Sequence, residues 1–292
     1  MVQRVSLIAL CLAAVGSSAL AADLPRRVAP PVFAPVPVLT WTGFYAGFNA
    51  GYAFSDNPAI QTRGNNGAGA GPLIGPANTN TVTNVLTNRR PGVFGVQQEG
   101  FTGGAQIGYN YQFTPGSGIV VGVEADAQYT DLRRTGGFVS GLGDPSTFRQ
   151  QLDFLGTVRG RIGYAFDRFL VYGTGGFAYG DVGYRANFLS NAAGNPLAYT
   201  GGYRDMETGY AYGGGIEYAL PTDSFLNVFK TSAVTLKVEY LRYDLGSRNV
   251  IVSSINPATG ATFTAATGSY TSRFSTEGNL VRAGVNYKFG SF

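Results

Sequence analysis

Histidine is absent from the 292 residues, and cysteine occurs once, at Cys11. Without imidazole, Ser-His and Cys-His nucleophilic catalysis is excluded, as is every His-based metal site. A lone thiol excludes an internal disulfide. Charge is scarce as well: 13% of residues, against roughly 25% in a soluble domain. No stretch past the N-terminal region approaches the run of about 20 apolar residues that a membrane-crossing helix needs. The net charge of +4 is small and scattered, too weak a field to argue for nucleic acid.

Aromatic residues (13%) and 43 glycines fill the space that charge leaves. At the N-terminus, Arg4 precedes the apolar run Val5–Val15, and small residues follow at Ala19 and Ala21. This pattern predicts a secretory signal peptide over 1–21, cut after Ala21. Its apolar run is too short for a membrane anchor. Removing Arg4 with it lowers the net charge from +4 to +3. Residues 22–40, ADLPRRVAPPVFAPVPVLT, read as a Pro-rich linker that cannot enter a sheet interior.

From residue 41 onward, period-two alternation recurs. In FTGGAQIGYNYQF, Phe101, Ala105, Ile107, Tyr109 and Phe113 share one side while Thr102, Gln106, Asn110 and Gln112 share the other. Eight such segments predict strands with one apolar and one small, polar face. Long connections (about 55–99, 131–150, 181–206 and 246–274) take turns with short ones, the pattern of an up-and-down membrane barrel. A soluble barrel would place the Phe/Tyr/Val face inside. An eight-stranded interior is only just wide enough for side chains, and that face would overfill it. The polar face also lacks the Lys, Glu and Asp of a water-exposed surface. The fold expected is therefore all-β: a transmembrane eight-stranded antiparallel β-barrel over 41–292, apolar face toward lipid.

The sparse charges of the polar face then meet inside. Glu124, Asp126, Glu217 and Glu239 stand against Arg159, Arg161, Lys237, Arg282 and Lys288. Two readings are open: a cross-linked plug that rigidifies the barrel, or a charged lining for a narrow ion path. The narrow lumen favours the plug. Trp41, Phe44, Tyr287 and Phe289 are expected at the rim where aromatic girdles sit. In the long connections, Arg63, Arg89, Arg90, Arg133, Arg134 and Arg149 are either phosphate contacts to lipopolysaccharide or ordinary solvated charge.

The chain's end, RAGVNYKF, sets Arg282, Gly284, Tyr287 and Phe289 in a polar-x-Gly-x-x-aromatic-x-aromatic pattern. It is similar to the signal read by the bacterial outer-membrane barrel assembly machinery, with Phe292 following three residues later. Together with ADLPRR, WTGFYAGFNAGY, TVRGRIGYAF and VEYLRYDLG, it resembles the small outer-membrane proteins of alphaproteobacteria, called outer-membrane immunogenic or opacity-protein-like porins. That resemblance implies an eight-stranded barrel in the Gram-negative outer membrane, surface-exposed and structural. Some members are described as porins or haemin binders, which keeps a small porin as the alternative function and haemin capture as a third. No enzyme activity, cofactor or metal is expected.

Overall fold

The computed structural model describes residues 39–57, 59–68, 80–221, 224, 233–256, 258–262 and 267–289. The expected signal peptide with Ala19 and Ala21, residues 22–38 of the linker, and Phe292 lie outside the described residues. Alternating sequence becomes strand almost throughout. The elements are β1 (Gly43–Ser55), β2 (Ala59–Asn65), α1 (Thr81–Leu86), β3 (Val93–Gly95), β4 (Glu99–Gln112), β5 (Ser117–Val139), β6 (Pro145–Phe166), β7 (Phe169–Leu189), β8 (Leu197–Ala219), β9 (Ala233–Ser254) and β10 (Ser269–Lys288).

Every pairing is antiparallel, and β1 pairs with both β4 and β10, which closes the sheet into a ring. Ten strands make a ring of eight because two are divided. The β1–β10 ladder ends at Ser55↔Gly278, and β2 resumes on β10 at Gln61↔Arg273. That is six residues along one chain (61 − 55) and five along the other (278 − 273). β2 therefore continues the line of β1 after one extra residue, the geometry of a bulge. In the same way, Phe54↔Glu99 is succeeded by Ala59↔Gly95, so β3 continues the line of β4. The eight-stranded expectation holds for the closed ring.

Strands β5 to β10 run for 20 to 23 residues, about twice the 9–11 that cross a bilayer. Much of what reads as long connections at 131–150, 181–206 and 246–274 is therefore strand. The residues between strands are only 140–144, 190–196 and 255–268. The reason is a change of chemistry along each strand at constant period. On the lower part of β7, Phe169, Val171 and Phe177 face outward and are half-exposed. Higher up, the outward positions are Asp181, Arg185 and Asn187, while Val182, Tyr184, Ala186 and Phe188 are buried inside. The upper half is an ordinary water-soluble barrel with an apolar core, joined to a lower half built the other way round. Bulges between Tyr129 and Leu132 and between Leu152 and Phe154 lie near this change on β5 and β6.

At the end with the short turns, exposed and half-buried aromatic pairs circle the wall: Phe44–Tyr109, Tyr111–Phe113, Tyr164–Phe166, Phe169–Tyr218 and Tyr287–Phe289. Trp41 does not join them. It is 2% exposed, packed with Leu39, Val120, Ala165, Leu170, Tyr172 and Ala219. Its indole Nε1 donates to the Asp167 carbonyl at 3.1 Å, and its backbone N–H donates to Gln112 Oε1 at 2.7 Å. An indole needs a partner for its N–H when it leaves water, and the 167–168 turn supplies one. Trp41 is a stopper in the mouth rather than part of the girdle. Trp41→Ala is expected to cost about 3 kcal/mol. The check is the temperature at which the compact, detergent-resistant band converts to the slower unfolded form on a gel; no change in that temperature would contradict the stopper.

Candidate functional site

The lower lumen is crossed by a layer of ion pairs, and alternation explains how it assembles. Glu124 and Asp126 are consecutive inward positions on β5, Arg159 and Arg161 on β6, Lys237 and Glu239 on β9, with Glu217 on β8 and Arg282 on β10. Register adds cross-strand neighbours: Glu124 lies opposite Arg159, and Glu239 opposite Arg282.

Arg159 is the hub. Its Nη2 donates to Glu124 Oε1 and Asp126 Oδ2, both at 2.8 Å, and its Nη1 reaches Glu239 Oε1 at 3.3 Å. Nε donates to Thr157 Oγ1, whose hydroxyl donates onward to Asp126 at 2.6 Å. Arg282 grips Glu239 Oε2 through Nε (2.8 Å) and Nη2 (2.5 Å), and Nη2 also reaches Asp126 at 3.1 Å. Lys237 Nζ donates to both oxygens of Glu124 at 2.9 Å. Arg161 donates to Glu217 Oε2 at 2.8 Å and lies 3.8 Å from the centre of the Tyr172 ring. Four carboxylates thus meet four cations, and all eight side chains are buried.

The ninth expected member, Lys288, is buried but stands apart. Its Nζ donates to the Thr40 carbonyl at 2.6 Å, fastening the segment that enters the barrel. Sequence reasoning left out the phenols of Tyr45 and Tyr172. Tyr45 Oη donates to Glu124 Oε2 at 2.7 Å and accepts from Arg161, and Tyr172 Oη donates to Glu239 Oε1 at 2.8 Å. Tyr45 was detectable, since it shares the face of Gly43, Gly47, Asn49 and Gly51. Tyr172 sits in a segment whose two faces are both apolar or glycine, where no such signal exists. Neutral donors complete the layer: Thr235 Oγ1 and Asn286 Nδ2 donate to Glu217 Oε1, and Gln106 Nε2 donates to Asn286 Oδ1.

Above this layer the lumen is apolar. Tyr184 stacks on Phe274 with centroids 4.9 Å apart, Phe188 packs edge-on against Tyr270, and Phe148, Leu132, Leu152, Tyr243 and Val252 fill the gaps. Burial raises the Tyr270 phenol to about 12, so it stays a neutral partner for Asn84 Nδ2 at 2.9 Å. Below it, the Trp41 stopper closes the other mouth.

Two of the expected lipopolysaccharide contacts are committed elsewhere. Arg89 pairs with Asp144 at 2.7 Å, and Arg90 donates to the carbonyls of Pro145 and Leu189, both at 2.6 Å. Both are buried, because they fasten the end of α1 to the rims of the two neighbouring hairpins. Arg133 pairs with Asp153 at 2.8 Å; Arg63, Arg134 and Arg149 are exposed. In the last strand, Arg282 and Gly284 face the lumen while Phe289 is exposed. A Cβ on Gly284 would lie 3.2 Å from both Lys237 Cγ and Gln106 Nε2, so the bare backbone there makes room for the crossing side chains.

An apolar exterior around a closed ring with an ionic interior is the arrangement of a barrel immersed in lipid. Residues 7–289 match the family described as "Outer membrane protein beta-barrel domain". The chain belongs to this outer-membrane barrel family. Among its relatives is the 31 kDa outer-membrane immunogenic protein of Brucella melitensis, 32% identical over 94% of each chain. Another is the 22 kDa outer membrane protein of Rhizobium leguminosarum bv. viciae, 28% identical over 68% of this chain and 72% of the relative. Among solved structures, the outer membrane protein OprG from Pseudomonas aeruginosa is similar at 16% identity and a TM-score of 0.39, covering 86% of this chain and 97% of that one. As a member of that family, the barrel is a protein of the Gram-negative outer membrane.

Breaking a buried ion pair by deleting one partner costs about 3–5 kcal/mol, since the other charge stays behind unpaired. Arg159→Ala, which strips Glu124, Asp126 and Glu239 at once, is expected to fall at the top of that range. Lys288→Ala, which leaves no carboxylate orphaned, is expected to lose clearly less. Thermal conversion of the two variants on gels compares them, and equal losses would refute the hub role of Arg159.

Proposed function

We propose that this protein is a non-conducting, non-enzymatic structural barrel, with its long hairpins at the cell surface and both chain ends toward the periplasm. The observation that carries this reading is the filled lumen. Three successive levels of buried side chains occupy it: the Trp41 stopper, the ionic layer and the aromatic core. A hydrated ion path needs charges that can exchange partners with a passing ion. Here the guanidinium groups of Arg159 and Arg282 each span two or three carboxylates, which orders them instead.

The same commitment supports the absence of catalysis. The four lumenal carboxylates are bound to cations or neutral donors, and none is left as an acid or base. The orientation follows from length: in membrane barrels the long hairpins face outward and the short turns face the periplasm. The last strand would then present its aromatic ending to the assembly machinery from the periplasmic side.

Two measurements test the reading. Planar-bilayer recordings of the purified, refolded protein are expected to be silent; steady, unitary openings would establish a porin instead. Leu142, at the 140–144 tip and 66% exposed, takes a cysteine for labelling on intact cells. A membrane-impermeant maleimide should modify Leu142→Cys without lysis, and labelling only after lysis would invert the orientation.

A further inference from the structure

Above the apolar belt, four outward arginines are matched to carboxylates. Arg133 pairs with Asp153, Arg204 with Asp181 at 2.6 Å and Asp153 at 3.3 Å, Arg242 with Asp56, and Arg248 with Glu207. Arg63, Arg134 and Arg273 are exposed without a carboxylate partner among the described residues, and so are Arg149 and Arg185, which the register alone sets face to face. These two are direct cross-strand partners on β6 and β7. Side chains so placed have Cβ atoms roughly 5 Å apart, and like charges directly opposite destabilise a sheet. An anion between the two guanidinium groups would relieve that repulsion.

The surroundings are shaped to admit one. Arg149 and Arg185 line a cleft of about 230 Å³ with Gln151, Gly183, Tyr203 and Arg204. Gly183 has a specific role there. A Cβ at that position would lie 2.7 Å from Gln151 Cγ, so only glycine lets the Gln151 side chain lie flat across the floor.

Height selects the source of the anion. On β6, the outward residues from Val158 to Phe166 are apolar or glycine, and Phe154 is the last large apolar residue before Asp153. Arg149 lies five residues beyond Phe154 (154 − 149). At about 3.3 Å per residue and a tilt near 40°, that is roughly 13 Å above the hydrocarbon edge. A phospholipid headgroup layer is only about 5–8 Å deep. A glycolipid whose phosphates are carried on sugars above the acyl chains reaches further.

We propose that Arg149 and Arg185 clamp a phosphate group of the lipopolysaccharide in the surrounding outer leaflet. Guanidinium forks suit this role, since each offers two parallel donors to a phosphate. The assignment rests on the orientation given above, and its chemistry is testable apart from that orientation.

The test titrates refolded protein in detergent with intact lipopolysaccharide, with the same lipid enzymatically dephosphorylated, with inorganic phosphate and with a sulfated polysaccharide. Affinity for intact lipopolysaccharide is expected to fall about tenfold or more in Arg149→Gln/Arg185→Gln, which removes charge-assisted hydrogen bonds. Dephosphorylation should produce a similar loss with the wild-type protein, an arm that needs no variant to fold. Arg242→Gln, at the matched pair with Asp56 away from the cleft, should bind as the wild type does. Equal binding by the double variant, or equal binding of dephosphorylated lipid, would overturn the proposal. So would inorganic phosphate or the sulfated polysaccharide binding as tightly as the intact lipid with the same dependence on the two arginines. If the clamp holds in detergent while Leu142→Cys labels only after lysis, the orientation fails and the anion site stands.

Discussion

In hydrocarbon, a backbone amide or carbonyl has no water to turn to, and each one left unpaired costs several kcal/mol. The seam between the first and last strands is therefore the constraint on which the rest depends. It runs from Tyr45↔Lys288 to Ser55↔Gly278 without a break. Closing on eight strands brings the opposite walls so near that only side chains fit between them. What lies inside must then be compact, mutually satisfied, or both. Glycine is the other half of that solution: Gly284 beside Lys237 and Gly122 beside Arg161 surrender their own side chains to the ones that cross the lumen.

Along each strand the ring passes between two solvents. While lipid is outside, Val123, Ile162 and Val238 face outward, and Glu124, Arg161 and Lys237 face each other. Where water is outside, the outward residues become Asp181 and Arg185, and the inward ones Tyr184 and Phe188. Between the bulges period two is kept, and the ladders of β6 with β7 and of β9 with β10 run from one environment into the other. Bulges take up the extra residues near the change, which lets Leu152 and Leu155 both stay inside although three positions separate them.

This inversion explains what could be read in advance. The fold class, the ring of eight and all eight members of the ionic layer were legible, because in the lower half a polar residue on an apolar strand has only one place to go. Lys288 was correctly placed inside but assigned to the wrong company. Its partner is a backbone carbonyl, which side-chain patterns do not announce. The upper strands read as connections because the outward apolar positions that mark a membrane strand are missing there, where the apolar positions are inward. The division of the first strand into β1 and β2 is hidden for a related reason: a bulge shifts the parity, and the sequence alternation ends there. From its location alone Trp41 reads as a rim aromatic, whereas the acceptor that draws it inward, the Asp167 carbonyl, comes from a turn 126 residues away.

The arrangement of faces is accessible to one direct measurement: a nitroxide scan along β7 in lipid, with accessibility to dissolved oxygen and to a water-soluble nickel chelate recorded at each position. Phe169, Val171 and Phe177 should meet oxygen, and Arg185 and Asn187 the chelate. Leu170, Tyr172, Ala178, Val182, Tyr184 and Ala186 should meet neither. Chelate contact at those inward positions would reveal a water-filled lumen and contradict the account.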